Sequence, residues 1–143
     1  MKLEGERPGS TMFTLGVSDH VMIAHSFADA FFGAAQRMHG ATYAIDLEVH
    51  TPSLGPHHVV MDIGALRAIL RRVLDEIDMQ NLDDHPAFRE CLSTTERVAE
   101  WVAGRVAGEL ARLSEDAAPV PGGTVRIVVR ESPVAHAAYQ RAL

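Results

Sequence analysis

His25 and His39 are the residues of this chain whose type and placement carry the most chemistry. They stand at the end of the segment MIAH and at the start of HGATY, two strand-like stretches joined by residues 26–38. Two neutral imidazoles held at facing ends of adjacent strands begin a zinc site, but a catalytic zinc takes three protein ligands and keeps one position for water or substrate. No third ligand is evident nearby. His20 is nearest, yet it lies five residues before His25, so it has the opposite strand parity and would need a bulge to join the pair. His57 and His58 fall in a loop whose position the sequence does not determine. The single cysteine, Cys91, excludes an internal disulfide and a thiolate cluster. It reads as a small buried apolar residue; the helix start just after it offers the alternative of a thiol with a lowered pKa.

The elements that must position these side chains follow from hydrophobic period. Residues 12–25 are rich in Phe, Val and Ile, and residues 41–51 alternate Tyr43, Ile45, Leu47 and Val49 against Asp46, Glu48 and His50, so both read as strands. After the turn cluster TPSLGP, residues 58–62 read as a short third strand. Leu66, Ile69, Leu70, Val73, Leu74 and Ile77 recur at helical spacing and predict a helix over 64–78. Ser93 with Glu96 forms a capping-box pattern for a second helix, with Val98, Trp101, Val102, Val106 and Leu110 on its apolar face. Residues 119–123 break the pattern, and 124–131 alternate as a fourth strand. The order is β-β-β-α-α-β: an α+β layer with an antiparallel four-stranded sheet and two helices on one face. Residues 1–11 lack periodicity and read as a flexible lead, leaving 12–143 as a single domain. The apolar FADAFFGAA run between the histidines is placed to cover a site or a neighbouring subunit.

Composition excludes several functions. The chain has 143 residues, enough for one domain that buries about two thirds of its unfolded surface. A net charge of -6 argues against a nucleic-acid partner. No apolar run is long enough to span a membrane, and MKLEGERPGS lacks the apolar core of a signal peptide, so a cytoplasmic protein is expected.

Taken in order, short stretches resemble the 6-pyruvoyl-tetrahydropterin synthase and 6-carboxy-tetrahydropterin synthase family over residues 12–139: MIAH ending on His25, then His39-Gly40-Ala41, Met61-Asp62-Ile63 leading into the first helix, Ile77-Asp78-Met79 followed by Leu82-Asp83, Ser93-Thr94-Thr95-Glu96, and Glu131-Ser132. The resemblance implies the tunnelling fold, in which three subunits join their sheets into a barrel and two trimers stack into a hexamer. That assembly would close the open sheet edges. It implies zinc held by three histidines, of which His25 and His39 are two while the third position is Ala41, so that zinc binds at partial occupancy. It implies that Glu131 accepts hydrogen bonds from the 2-amino group and a ring N–H of a pterin, with Thr94 and Thr95 framing the same pocket. The family's catalytic cysteine falls on Ala35 and its proton-relay histidine on Met79, beside Asp78.

Two functions follow as expectations. One is a zinc-dependent lyase or aldol-type enzyme on a pterin-like or related polar substrate, with a rearranged acid–base set drawn from Asp78, His20 and Asp29 and little of the family's conversion of dihydroneopterin triphosphate. The other is a non-catalytic pterin-like ligand-binding or assembly subunit. Either would be a homo-oligomer, a trimer or hexamer.

Overall fold

The computed structural model describes residues 11–143, so the expected N-terminal lead lies, but for its last residue, outside the described residues. Two long strands, β1 (Phe13–His25) and β2 (His39–Thr51), run antiparallel from the pair Phe13 and Thr51 to the pair His25 and His39. Helix α1 (Ile63–Asp75) follows, then a two-residue strand β3 (Gln80–Asn81), helix α2 (Thr95–Ala111) and the hairpin β4 (Thr124–Ser132) and β5 (Ala135–Ala142). The sheet order is β3-β1-β2-β4-β5, antiparallel except where β3 runs parallel to β1.

Odd-numbered residues of β1, β2 and β4 face the helices. Val21, Ile23, Tyr43, Ile45, Leu47, Val49, Val125, Ile127 and Val129 are buried there against Leu66, Leu70 and Val73 of α1 and Val98, Val102 and Val106 of α2. Even-numbered residues make the second face. It is polar and internally paired, Ser18 with Asp46 (2.7 Å), Arg130 with Asp46 (3.1 Å) and Arg126 with Glu48 (2.9 Å), so this face needs no apolar cover to remain in water.

The α+β class with both helices on one sheet face is as expected, but the strand inventory differs at three places. Residues 58–62 are not a strand: His58 takes φ +61° and the Gly55 and Val59 backbones close a tight loop, so Val60 and Met61 reach the core from a curl with no partner strand. The two-residue β3 parallel to β1 and the hairpin strand β5 beyond Glu131 are both additional, making five strands in a mixed sheet rather than four antiparallel ones. β5 is alanine-rich, with weak strand propensity of its own, and pairs because β4 offers it an open edge.

The helix ends also move. α1 starts one residue early on an Asp62 cap whose side chain accepts from the Ala65 N–H, and it ends at Asp75 rather than 78. α2 is capped by Thr94, whose hydroxyl accepts from the Arg97 N–H; Ser93 is buried and bonds elsewhere. Past α1, Met79 turns through φ +59°, and its N–H donates to the Met22 carbonyl at 2.7 Å. Asp78 closes the same junction: one carboxylate oxygen accepts from the Met22 N–H (3.0 Å) and the other from Arg71 (3.1 Å), which also pairs with Asp19 and Asp75. Asp78→Ala should leave a strand-edge N–H and a guanidinium short of a partner and destabilise the fold by about 1–3 kcal/mol. Urea unfolding measures this, with the m-value unchanged.

Candidate functional site

The last residues of β1, the first of β2, the end of β4 and the N-terminus of α2 meet at one end of the sheet. His25 and His39 face each other there across the β1/β2 pair, ring centroids 4.6 Å apart. His25 is 3% exposed, and its Nδ1 lies 3.1 Å from both the carbonyl and the hydroxyl of Ser93. His39 Nδ1 lies 2.8 Å from the Arg37 carbonyl. A carbonyl only accepts, so both Nδ1 atoms carry a proton and each ring, when neutral, keeps its lone pair on Nε2, the arrangement in which a backbone carbonyl orients a metal-ligating imidazole. Burial, and then the neighbouring His39 ring, hold His25 below the ordinary histidine range against the opposite pull of the Ser93 bond, Asp83 and Glu131. It is therefore neutral near pH 7.

Those two donors are half of a zinc shell. Ala41 follows on the same face of β2 and carries no donor, and among the described residues no group of three His, Cys, Asp or Glu side chains comes together. The residues present do not make the three-donor set of a catalytic zinc. His20 stands on the opposite sheet face, beside Asp19 and paired across strands with Ala44. His57 and His58 follow the far end of β2, some 40 Å of strand from His39 at about 3.3 Å per residue. The structure brings none of them to the pair.

Segment 26–38 folds over the histidines. Phe27 packs 4.6 Å from the His25 ring and 4.5 Å from Phe32, and its N–H donates to the Ala35 carbonyl. Asp29 is occupied as a cap, accepting from the Phe31 N–H at 2.9 Å. Asp83 clamps the residue after His25: its carboxylate accepts from the Ser26 N–H (3.1 Å) and hydroxyl (2.5 Å). Asp78 is engaged at the Met22 edge, as described, and Cys91 packs on the core with its Sγ 3.8 Å from the Ala87 carbonyl.

Glu131 lies on the helix-facing side of β4, at the irregularity where β4 shifts register against β5 between Arg130 and Ser132. Such a bulge re-aims a side chain. Arg130 does not neutralise it, because Arg130 points to the other face and pairs with Asp46. Instead the Thr95 hydroxyl donates to Glu131 Oε2 at 3.3 Å. Of the two threonines, Thr95 meets the carboxylate and Thr94 caps the helix. Tyr43, which sequence reading placed only among the core residues, belongs here too: it is 1% exposed and its ring lies 6.3 Å from His25.

The fold is thus a five-stranded sheet with two helices on one face, with the histidine pair and Glu131 at one end of it. Residues 14–142 match the model of the 6-pyruvoyl tetrahydropterin synthase family, and the chain belongs to that family. It is 27% identical over 132 residues to the 6-carboxy-5,6,7,8-tetrahydropterin synthase of Bacillus subtilis (strain 168), covering 90% of this chain and 85% of that protein. Among solved structures, the 6-pyruvoyl tetrahydropterin synthase of Caenorhabditis elegans superposes with a TM-score of 0.73 at 22% identity, over 92% of this chain and 97% of that one. That of Plasmodium falciparum gives 0.72 at 16% identity, over 94% and 100%. Among the described residues no helix is long and apolar enough to cross a membrane.

Proposed function

We propose that this chain binds a pterin-like heterocycle through Glu131 and acts on it, or on a related polar substrate, as a lyase-type enzyme whose acid–base set differs from its relatives'. The observation that carries the reading is the Glu131 carboxylate, exposed, unpaired with Arg130 and held by Thr95 at the same end of the sheet as the two imidazoles. A 2-amino group next to a ring N–H offers two parallel donors, and a carboxylate accepts both as it would accept a guanidinium. Glu131→Gln places a donor where an acceptor is needed. It should weaken pterin binding by about 1.5–3 kcal/mol while fold and assembly persist, as calorimetry and light scattering would read. Equal affinity of wild type and variant would remove the pterin-like reading.

The site keeps a zinc half-shell, and zinc is proposed at partial occupancy. Elemental analysis of purified protein should find less than one zinc per chain, and His39→Ala should remove it. Full occupancy after that substitution would put the metal elsewhere.

The second reading, a binding or assembly subunit, is favoured by one specific observation: Ala35 and Met79 stand where the resemblance puts a thiol and a proton-relaying imidazole, and neither can move a proton. Loss of a positioned acid or base costs about 10²–10⁴-fold in rate, so conversion of dihydroneopterin triphosphate should be weak or absent. Robust turnover in a coupled product assay would refute this. Zinc with turnover of another pterin-like substrate supports the enzyme; ligand binding without metal supports the subunit.

The chain is also proposed to work as a homo-oligomer, trimer or hexamer. β3 covers only the Ile23–Ala24 end of β1, and β5 is the opposite sheet edge, so both edges are open to pairing with another copy.

A further inference from the structure

We infer that a second copy of this chain docks its β5 on one half of the β1 edge, residues Thr14 to Ser18, while a clamp of Asp19, Arg71 and Asp78 closes the other half. The clamp sets the register of the joint. This rests on the homo-oligomer reading above and adds where the copies meet and what stops them sliding.

In an antiparallel strand the N–H and C=O of one residue point to the same side, and the side alternates along the chain. The even-numbered residues of β1 point away from β2. At the His25 end they are all engaged: Ala24 pairs with β3, and Met22 gives its N–H to Asp78 while its carbonyl accepts from Met79. His20 is closed by side chains. Its N–H donates to Asp19 at 2.8 Å, and its carbonyl accepts from Arg71 at 3.3 Å. That guanidinium is held by Asp19 and Asp78, each at 3.1 Å. Beyond it the outward backbone groups of Ser18, Gly16 and Thr14 meet no partner among the described residues.

The β5 edge has the matching parity. Leu143 gives its N–H to the Gly123 carbonyl at 2.9 Å, so odd-numbered residues of β5 bond to β4, and Ala138, Gln140 and Ala142 turn their backbone outward. Gln140 also reaches Thr124 on the polar face. On both edges, then, the outward residues are those whose side chains lie on the polar face. Pairing Thr14 with Ala142, Gly16 with Gln140 and Ser18 with Ala138 joins polar face to polar face and helix-packed face to helix-packed face. β1 and β5 run in opposite directions within one sheet, so copies arranged around a ring pair them antiparallel and leave no such edge over.

The same register sets Leu143 opposite Phe13. There Phe13, Leu15, Leu54, Val59 and Ile63 line a groove of about 490 Å³, and the exposed Leu143 brings an apolar side chain to it on the helix-packed face. A slip of one residue would invert the faces. A slip of two would set Ala138 against His20, whose edge groups are taken, and draw Leu143 away from the groove.

Engineered disulfides test the joint. In a Cys91→Ala background, Gly16→Cys and Gln140→Cys place thiols on a paired position; a Cβ at Gly16 meets nothing closer than 3.8 Å. Opposed Cα atoms about 5.5 Å apart are within disulfide reach. After mild oxidation the Gly16→Cys/Gln140→Cys pair should run as covalent multimers on a non-reducing gel, and each single variant as monomer. Ser18→Cys/Gln140→Cys, which reports the two-residue slip, should stay uncrosslinked until Arg71→Ala opens the clamp. Gly16→Pro deletes an outward N–H at an edge position that accepts proline, and light scattering should find it monomeric where wild type is not. Urea unfolding verifies the fold of each variant, and Asp19→Ala, which frees the His20 N–H, replaces Arg71→Ala if that variant fails to fold. A multimeric wild type whose Gly16→Cys/Gln140→Cys pair does not crosslink, or either single variant crosslinking to itself, overturns the joint and leaves the oligomer standing. Assembly unchanged in Gly16→Pro overturns it as well. Ser18→Cys/Gln140→Cys crosslinking with the clamp intact, or failing to do so once it is open, overturns the clamp as the register stop. A monomeric wild type removes the oligomer and the joint together.

Discussion

The register of β1 against β2 is the constraint on which the rest depends. Residues pair continuously from Phe13 with Thr51 to His25 with His39, and each step alternates between the helix-packed face and the polar face. A slip of one residue would turn Val21, Ile23, Tyr43, Ile45 and Leu47 out to water and move both histidines to the wrong side, so burial of the core and assembly of the site are one requirement. The far end of the pairing is secured from outside the strands. Asp78 and Met79 bond to the Met22 backbone, β3 pairs with Ile23 and Ala24, and Asp83 holds Ser26. His25 is thus fixed on both flanks before its own ring meets Ser93.

Parity made the histidine pair legible in the sequence and made His20 a poor third member, because alternation along a strand needs no knowledge of the tertiary fold. The same logic failed where structure comes from a neighbour. Ala135, Ala137, Ala138 and Ala142 carry no apolar alternation, and β5 exists because β4 presents it with a ladder. Val59, Val60 and Met61 look like a strand by composition, but the left-handed turn at His58 bends them into a curl. Ser93 and Thr94 are equally good caps in isolation; the burial of His25 recruits Ser93, and the cap falls to Thr94. Tyr43 was correctly placed on the core face, yet its approach to the His25 ring comes from the pairing of β1 with β2, a contact that periodicity cannot register.

The same contacts sort the site residues by what the fold itself needs. His25 is buried and bonds to Ser93, so replacing it would open a polar gap between β1 and the start of α2 whether or not a metal binds. Its presence is weak evidence for zinc. Tyr43 also fills core volume, and only its oxygen is surplus to packing. Ala35 and Met79 lie in connecting segments; Met79 is 74% exposed, and the fold needs from it a backbone turn and one N–H, not a particular side chain. Met79, where the resemblance puts a relay histidine, is therefore a position whose side chain can change with little effect on packing.

Glu131 differs from all of these. Its side chain is exposed, it closes no ladder, neutralises no cation among the described residues, and caps no helix. An exposed carboxylate has little to offer folding, since even a surface ion pair is worth no more than about 1 kcal/mol and Glu131 forms none. The protein nevertheless places a bulge in β4 beside it and sets the Thr95 hydroxyl, released from capping, against it. Ordering that hydroxyl against an exposed charge has an entropic cost that packing does not offset. A ligand that donates to the carboxylate, as proposed, would offset it, and so the recognition reading rests on Glu131 rather than on the histidine pair.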